Sequence, residues 1–219
     1  MKQMKFVIAF LLIFLSFSDG KVIPLDAAIV STNLVLDPPP AKNVIVNVTW
    51  TFISRINITY VNMTINNLKS SQYAAMGLGQ NQSMGEAHVF MCKRFANDTI
   101  VIQRFINPRK HTPPVPAGSE QGGIFIPLPG KFIDGVVTCQ FTLSNFTSQR
   151  VKQLNTLKPL SQSGKYYPLF AVGLLNSTGD AKHHNGREHQ PGLVQLDQNQ
   201  NLTYHQHSSK LFNEIYSSS

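Results

Sequence analysis

The clearest pattern in this chain is a short-range alternation of apolar and polar residues. Between residues 43 and 52, one face of an extended chain would carry Val44, Val46, Val48, Trp50 and Phe52, and the other Ile45, Asn47, Thr49 and Thr51. A period of two residues is typical of a β-strand that buries one face. This segment therefore predicts a half-buried strand with Asn47 on the solvent side.

The next segment, residues 55–65, alternates less cleanly. Its apolar set is Ile56, Ile58 and Tyr60, opposite Asn57 and Thr59. Asn62 has the parity of the apolar set, yet Asn57 and Asn62 each begin an Asn-X-Thr glycosylation signal. Because a regular strand would bury one of the two, we expect a bulge or turn near Val61, or one unused signal.

Further short strands are predicted at intervals of about 8–12 residues. They are 73–76, 87–92, 99–105, 123–128, 135–143 and 166–175. Residues 107–118 carry four prolines and mark an exposed loop, and only residues 149–157 favour a short helix. The pattern predicts an all-β fold, an antiparallel β-sandwich with immunoglobulin-like layers and one short helix.

The ends of the chain differ in composition from its middle. Two lysines precede an apolar run over residues 6–17 and then small residues, which is typical of a cleaved signal peptide at 1–20. We expect a secreted, extracellular chain with no transmembrane segment after signal removal, because no later run approaches ~20 apolar residues. The remainder divides into an N-terminal lead-in at 21–42, a sandwich at 43–195 and a polar tail at 196–219, frayed from Gln198.

The net charge of the whole chain is +8, from 19 basic and 11 acidic residues. The basic residues are scattered, whereas a nucleic-acid site needs a clustered basic patch. We therefore expect no nucleic-acid partner. The positive net charge is also compatible with a weak attraction to anionic glycans or membrane surfaces.

The chain contains two cysteines, Cys92 and Cys139. An oxidising compartment favours their pairing, and the lack of a CxxC spacing argues against a metal site or a nucleophile. We predict a structural disulfide between them.

Eight Asn-X-Ser/Thr signals without proline at X predict a glycoprotein. A glycan is bulky and hydrophilic, so each modified asparagine must face water. The eight are Asn47, Asn57, Asn62, Asn81, Asn97, Asn145, Asn176 and Asn201.

Residues 73–92 have the most distinctive sequence in the chain, YAAMGLGQNQSMGEAHVFMC. We expect a strand that breaks at Gly77 and Gly79, a polar loop, and a second strand from Ala87. Met84 lies where the loop becomes a strand, so its thioether can point at a ligand. The commoner role of a methionine is to fill a gap in the core.

Histidines concentrate towards the end of the chain, where five of the seven lie between His183 and His207. His183, His184 and His189 lie close together, either as solvated loop residues or as ligands. A copper or zinc site is weakly supported, because neither a cysteine nor a carboxylate pair accompanies them. His88 and His111 are expected to be ordinary surface or strand residues.

Together these motifs resemble the DOMON domain, a family of extracellular β-sandwich modules. The resemblance rests on the stretch 73–92, on DGVVTCQFTLSN around Cys139 and on YYPLFAVGLLNSTGDAKHH, and it covers roughly residues 43–190. It implies a pocket at the sandwich edge for haem b or a sugar-like ligand. Haem-binding members hold the iron with a methionine of the first motif and a histidine after the late strand. The matching residues are Met84 and His184, with His183 as the adjacent candidate.

The resemblance implies an electron-transfer module with an extracellular redox partner, since a Met/His pair fills both axial positions of the haem iron. The expected apolar walls are Val89, Phe90, Phe170, Val172 or Leu174. The alternative is a non-haem module that binds a carbohydrate or a protein, because a glycan on Asn81 would crowd the pocket mouth. We expect no enzyme beyond a redox carrier, since the sequence has no Ser/His/Asp set, supported carboxylate pair or glycine-rich phosphate loop.

Overall fold

Two antiparallel β-sheets make up the part of the chain that the computed structural model describes, residues 41–83, 85–109, 112–146 and 157–206. The strands are β1 (Ile45–Ile53), β2 (Ile58–Asn66), β3 (Gln72–Gly79), β4 (Ala87–Arg94), β5 (Ile100–Asn107), β6 (Val115–Pro116), β7 (Ile124–Pro127), β8 (Lys131–Ile133), β9 (Val136–Ser144), β10 (Tyr167–Leu175), β11 (Ala181–His189) and β12 (Gln200–His205). Two 3₁₀ turns, Ser54–Ile56 and Ser119–Gln121, complete the regular structure of these residues. The predicted all-β sandwich is confirmed.

The two sheets differ in strand order. The first sheet runs β12-β1-β2-β9-β7, with β8 also paired to β9. The second sheet runs β11-β10-β3-β4-β5-β6. Every pairing is antiparallel, so alternate residues of each strand face the partner sheet and the remainder face outward.

The inward-facing residues form one apolar core between the sheets. Its largest fully buried side chains include Trp50, Phe90, Phe141 and Phe170. Phe90 of the second sheet stacks on Phe141 of the first, with ring centroids 4.6 Å apart. Burying one such side chain contributes about 1.5–3 kcal/mol, so the two sheets are held together mainly by this layer.

A disulfide crosses the same core. Cys92 of β4 bonds Cys139 of β9, and both residues are fully buried. The bridge therefore links the two sheets covalently, and the predicted pairing is confirmed.

The face prediction is correct for β1 and wrong for β2. In β2 the inward residues are Thr59, Val61, Met63 and Ile65, while Ile58, Tyr60 and Asn62 lie on the outer face. The expected bulge near Val61 is absent, because β2 pairs in unbroken register with both of its neighbours. Asn57 lies in the turn before β2 with a left-handed backbone (φ 55°) and is exposed, and Asn62 lies on the outer face of the strand, so neither glycosylation signal is buried. The buried Thr59 hydroxyl is satisfied by donating to the Leu196 carbonyl at 2.8 Å.

The sandwich also extends further along the chain than predicted. β12 pairs with β1 from Ile45↔His205 to Trp50↔Gln200, so the boundary at residue 195 is too early and the expected fraying from Gln198 is wrong for this strand. β11 forms in the histidine-rich stretch after residue 180, where no strand was predicted. β11 was missed because neither of its faces is apolar, and β12 because it is short and buries only Leu202 and Tyr204. Both lie at sheet edges.

Several predictions fall outside the described residues. These are the signal peptide at 1–20, the lead-in at 21–42 except for its last two residues, most of the helix at 149–157, and the end of the chain after residue 206. Within the described ranges, no helix has the length and apolarity needed to cross a membrane.

We predict that replacing both cysteines (C92A/C139A) lowers the free energy of unfolding by about 4 kcal/mol. The bridge closes a segment with a sequence separation of 47, and its loss increases the conformational entropy of the unfolded chain. Urea unfolding followed by fluorescence measures the change. Reduced wild-type protein keeps both sulfur atoms and serves as the control for lost packing; equal unfolding midpoints for oxidised and reduced protein would contradict the prediction.

Candidate functional site

An open groove lies on the outer face of the second sheet. Its volume is about 820 Å³, within the range of small-molecule and cofactor sites. β3, β4, β10 and β11 contribute its floor and one wall, and residues 82–83 and 112–114 border it from loops. The groove is thus formed by the face of the sheet that the core does not use.

Small side chains on the floor leave the space that forms the groove. Ala75 and Gly77 of β3 lie beside Ala171 and Leu169 of β10, their cross-strand partners. A Cβ added at Gly77 would lie 3.1 Å from the Leu169 Cβ, and one at Gly79 would lie 2.9 Å from its Cδ1. β3 continues through both glycines, contrary to the expected break. The glycines provide room for the Leu169 side chain instead of forming a turn.

Tyr73 closes one end of the floor. Its ring packs over Gly173, where an added Cβ would lie 2.8 Å from the ring, and it joins Ala75, Met91 and Leu175 in a second apolar cluster. The Tyr73 hydroxyl donates to the Lys182 carbonyl at 3.1 Å. Burial raises the pKa of Tyr73 well above its usual range, so the hydroxyl stays a hydrogen-bond donor that holds β11 against the floor.

β11 brings two adjacent histidines to the groove. Neighbouring residues of a regular strand point to opposite faces, yet both His183 and His184 line the cavity. The pairing with β10 shows why. Gly173 pairs with His184 between two register shifts, one on each side of it. Such bulges redirect side chains near functional sites.

The histidine pair is suited to ligation. His183 Nδ1 lies 2.8 Å from the His184 carbonyl, which leaves its Nε2 directed elsewhere, and the two rings are 4.3 Å apart. Burial, followed by the nearby basic groups of His183 and Arg187, lowers the pKa of His184. The imidazole of His184 is therefore neutral at neutral pH, which is the form that binds a metal.

Met84 lies outside the described residues, so its pairing with a histidine stays a prediction. Gln82 and Ser83, which precede it in sequence, line the groove. Asn81 caps this loop, because its side-chain oxygen accepts a hydrogen bond from the Ser83 amide at 2.9 Å and another from the Ser83 hydroxyl. The loop that carries Met84 in sequence thus reaches the same groove as His183 and His184.

The apolar walls were predicted only in part. Val89 lines the groove, while Phe90 and Val172 belong to the core between the sheets. Phe170 borders the groove, but its fully buried side chain also belongs to that core. Leu174 is not among the lining residues. The sequence showed which strands approach the groove but could not show which of their faces does so.

Charged residues follow the histidine wall. The charged side chains of Lys182, Arg187 and Glu188 line the groove, and the imidazole of His189 lies beside them. Two permanent cations against one carboxylate favour a ligand that carries negative charge. Among the described residues, no group of three or more His, Cys, Asp or Glu side chains is placed to hold a metal ion by itself.

A buried polar cluster on the inner face of β4 and β5 was not foreseen. Arg104 donates to the carbonyls of Gln121, Gly122 and Gly123 at 2.7–2.9 Å. His88, expected to be an ordinary surface or strand residue, is fully buried, with Nε2 3.0 Å from the Lys158 carbonyl and Nδ1 3.5 Å from Arg104 Nη2. The cluster fixes two loops to the second sheet. Its only sequence signal was polar residues at inward positions of apolar strands.

The class defined by this geometry is a β-sandwich with an apolar groove and a histidine wall on one outer face. Neither a known protein family nor a curated protein sequence matches this chain. Among solved structures it is similar to the cytochrome domain of Myriococcum thermophilum cellobiose dehydrogenase, with 10% sequence identity, a TM-score of 0.45 and 74% of each chain covered. A likeness of this degree identifies neither a family nor an activity.

We predict that Gly173→Ala destabilises the fold by about 1–3 kcal/mol, because the new methyl group displaces the Tyr73 ring and overpacks the floor. Tyr73→Phe, which removes only the hydrogen bond to Lys182, should cost about 1 kcal/mol. Urea denaturation measures the change in stability of both variants.

Gly192→Ala is the matched control for Gly173→Ala, since its Cβ would meet no atom within 4 Å. Equal stability of Gly173→Ala and Gly192→Ala would contradict the packing of Tyr73.

We also predict that His88 weakens the fold as the pH falls. Burial, followed by the charge of Arg104, lowers the pKa of His88 to about 3 from 6.5. Between these values the unfolded chain binds a proton that the folded chain does not, so stability is lost at up to about 1.4 kcal/mol per pH unit.

The measurement is the urea midpoint between pH 7 and pH 5, above the range in which most carboxylates titrate. His88→Gln should flatten the slope by up to one proton, and His205→Gln, at an exposed position of β12, is the matched histidine substitution against which the change is compared. An unaltered slope in His88→Gln would show that His88 is not buried in its neutral form.

Proposed function

We propose that this chain is a secreted DOMON-like module that binds haem b and transfers electrons. The observation that carries the proposal is the pair of histidines held by bulges against an open apolar groove. Secretion is supported by the buried inter-sheet disulfide, since disulfides persist mainly in oxidising compartments.

The residues of the groove suit a flat, largely apolar cofactor. Ala75, Gly77 and Ala171 leave space over the floor, and Val89 and Met91 cover it with apolar groups. The neutral imidazole of His184 would hold the iron, with His183 as its alternative and Met84 as the proposed second ligand. The positive side chains of Lys182 and Arg187 suit the two carboxylates that haem b carries.

When bound, a haem with methionine and histidine ligands exchanges one electron and has no open coordination position. The protein's own contribution is positional. The small floor residues and Leu169 exclude water from one side, and the bond from Tyr73 to the Lys182 carbonyl holds the histidine strand in place. Apolar surroundings and a thioether ligand both raise the reduction potential. The partner would be an extracellular redox protein.

The second candidate is a non-haem module that binds a carbohydrate or a protein partner. The mixed polar rim favours it, because Gln82, Ser83, Glu188 and Arg187 all line the groove and suit hydroxyl groups. A glycan on Asn81, at the loop that borders the groove, would also restrict access for a large planar ligand.

The deciding experiment is titration of the purified secreted protein with haem b, followed by absorption spectra in the oxidised and reduced states. We expect a saturable Soret shift and the spectrum of a six-coordinate, low-spin iron. Met84→Ala and His184→Ala should each convert the iron to a five-coordinate spectrum. Ala171→Phe should fill the floor and reduce haem affinity at least tenfold, which corresponds to about 1.4 kcal/mol.

Thr51→Phe, on the exposed outer face of the first sheet, controls for the added aromatic group, and His205→Gln controls for loss of a histidine. Thermal unfolding of every variant separates lost binding from lost folding. If wild-type protein shows no saturable haem binding, the haem hypothesis is wrong, and the groove would then be tested with a glycan array.

A further inference from the structure

The outer face of the first sheet carries three glycosylation signals side by side. Asn47, Asn62 and Asn201 lie on the adjacent strands β1, β2 and β12, each pointing away from the core. Thr49 pairs with Asn62 on one side and with Asn201 on the other. Since diagonal neighbours across a sheet are about 7–8 Å apart, the three asparagines form one cluster.

The side chains of this cluster are oriented by hydrogen bonds to their oxygen atoms. Thr203 Oγ1 donates to Asn47 Oδ1 at 2.9 Å, and Gln140 Nε2 donates to Asn62 Oδ1 at 3.1 Å. An N-linked glycan is attached to Nδ2, the other end of the amide. These contacts are therefore compatible with modification of both asparagines.

Exposed apolar residues occupy one end of the same face. Ile53, Ile124 and Ile126 are 41%, 48% and 50% exposed. The register places them in two rows across the sheet, with the half-buried Ile58 and Tyr60 between them. Clustered apolar residues on a sheet face favour self-association unless something covers them.

Two further glycosylation signals border these rows. Ile58 pairs with Ser144, so Asn57 and Asn145 lie next to each other at the end of β2 and β9. Both asparagines are exposed and adopt a left-handed backbone, with φ of 55° and 46°. Tyr60, two residues before Asn62 on the same strand face, lies between them and the central cluster.

We propose that N-linked carbohydrate on these five asparagines covers the outer face of the first sheet, including its apolar rows. The apolar faces of the first sugar rings would pack on the isoleucines and Tyr60, and their hydroxyl groups would face water. The strands of the second sheet carry no such signal among the described residues; Asn81, Asn97 and Asn176 lie in turns. The strands that form the floor of the groove are thus free of such signals, and Asn81 lies in the loop that borders it. This inference rests on the secretion assumed in the proposed function.

The test begins with site-by-site mass spectrometry of protein secreted by cultured animal cells. We expect occupancy at Asn57 and Asn145 and at two or more of the three central asparagines. The glycans are then removed from the folded protein by an amidase, and the binding of a hydrophobic dye is measured. Dye fluorescence should rise roughly twofold or more, because the apolar rows become exposed.

Ile124→Ser/Ile126→Ser is the matched variant, in which removal of the glycans should leave dye fluorescence unchanged. Asn97→Gln removes one glycan of a second-sheet turn and should not alter the response. Unoccupied Asn57 and Asn145, or a wild-type protein whose dye binding does not change, would overturn the proposal. Neither result bears on the proposal of haem binding. A protein that stays in the cell without glycans would instead contradict the secretion that the proposed function assumes.

Discussion

The structure depends on the apolar contact between two sheets, fixed at one point by a covalent bond. Aromatic side chains from both sheets interdigitate, and Phe90 stacked on Phe141 is the most direct contact between them. The disulfide from Cys92 to Cys139 crosses the same layer. Because this core occupies one face of the central strands of both sheets, the opposite faces are free to differ, and the molecule has two outer surfaces of contrasting chemistry.

The proposed function depends on this difference between the outer faces of the two sheets. On the second sheet, glycine and alanine remove side-chain volume at adjacent strands, and the space becomes a groove with His183 and His184 along its wall. On the first sheet, polar residues and glycosylation signals occupy the equivalent positions. One surface therefore suits a ligand and the other suits solvent and carbohydrate, although both are built on similar antiparallel strands.

Local pattern was enough to predict the all-β architecture, the disulfide and the face of β1, because each depends on a period of two or on pairing of the only cysteines. It failed for β2, because the face with Thr59, Val61, Met63 and Ile65 is the buried one, while Ile58 and Tyr60 lie outward. It failed also for β11 and β12, whose polar faces hide their strand character. The groove was beyond local pattern, since its floor is assembled from strands distant in sequence and the histidines reach it through bulges that only tertiary pairing defines.

The strand that carries Cys92 inward also carries Val89 and Met91 outward, so the cross-link clamps the floor of the groove to the opposite sheet. β11, in contrast, is an edge strand. Within the described residues it pairs through its backbone with β10 alone, and the Tyr73 hydroxyl adds one further bond to it. Edge strands open locally at lower free energy than strands with two neighbours. The rigid floor of the groove would then determine the shape of the ligand that fits, and its rigidity reduces the entropic cost of binding. Local opening of β11, which carries the two histidines, would control how fast a ligand enters.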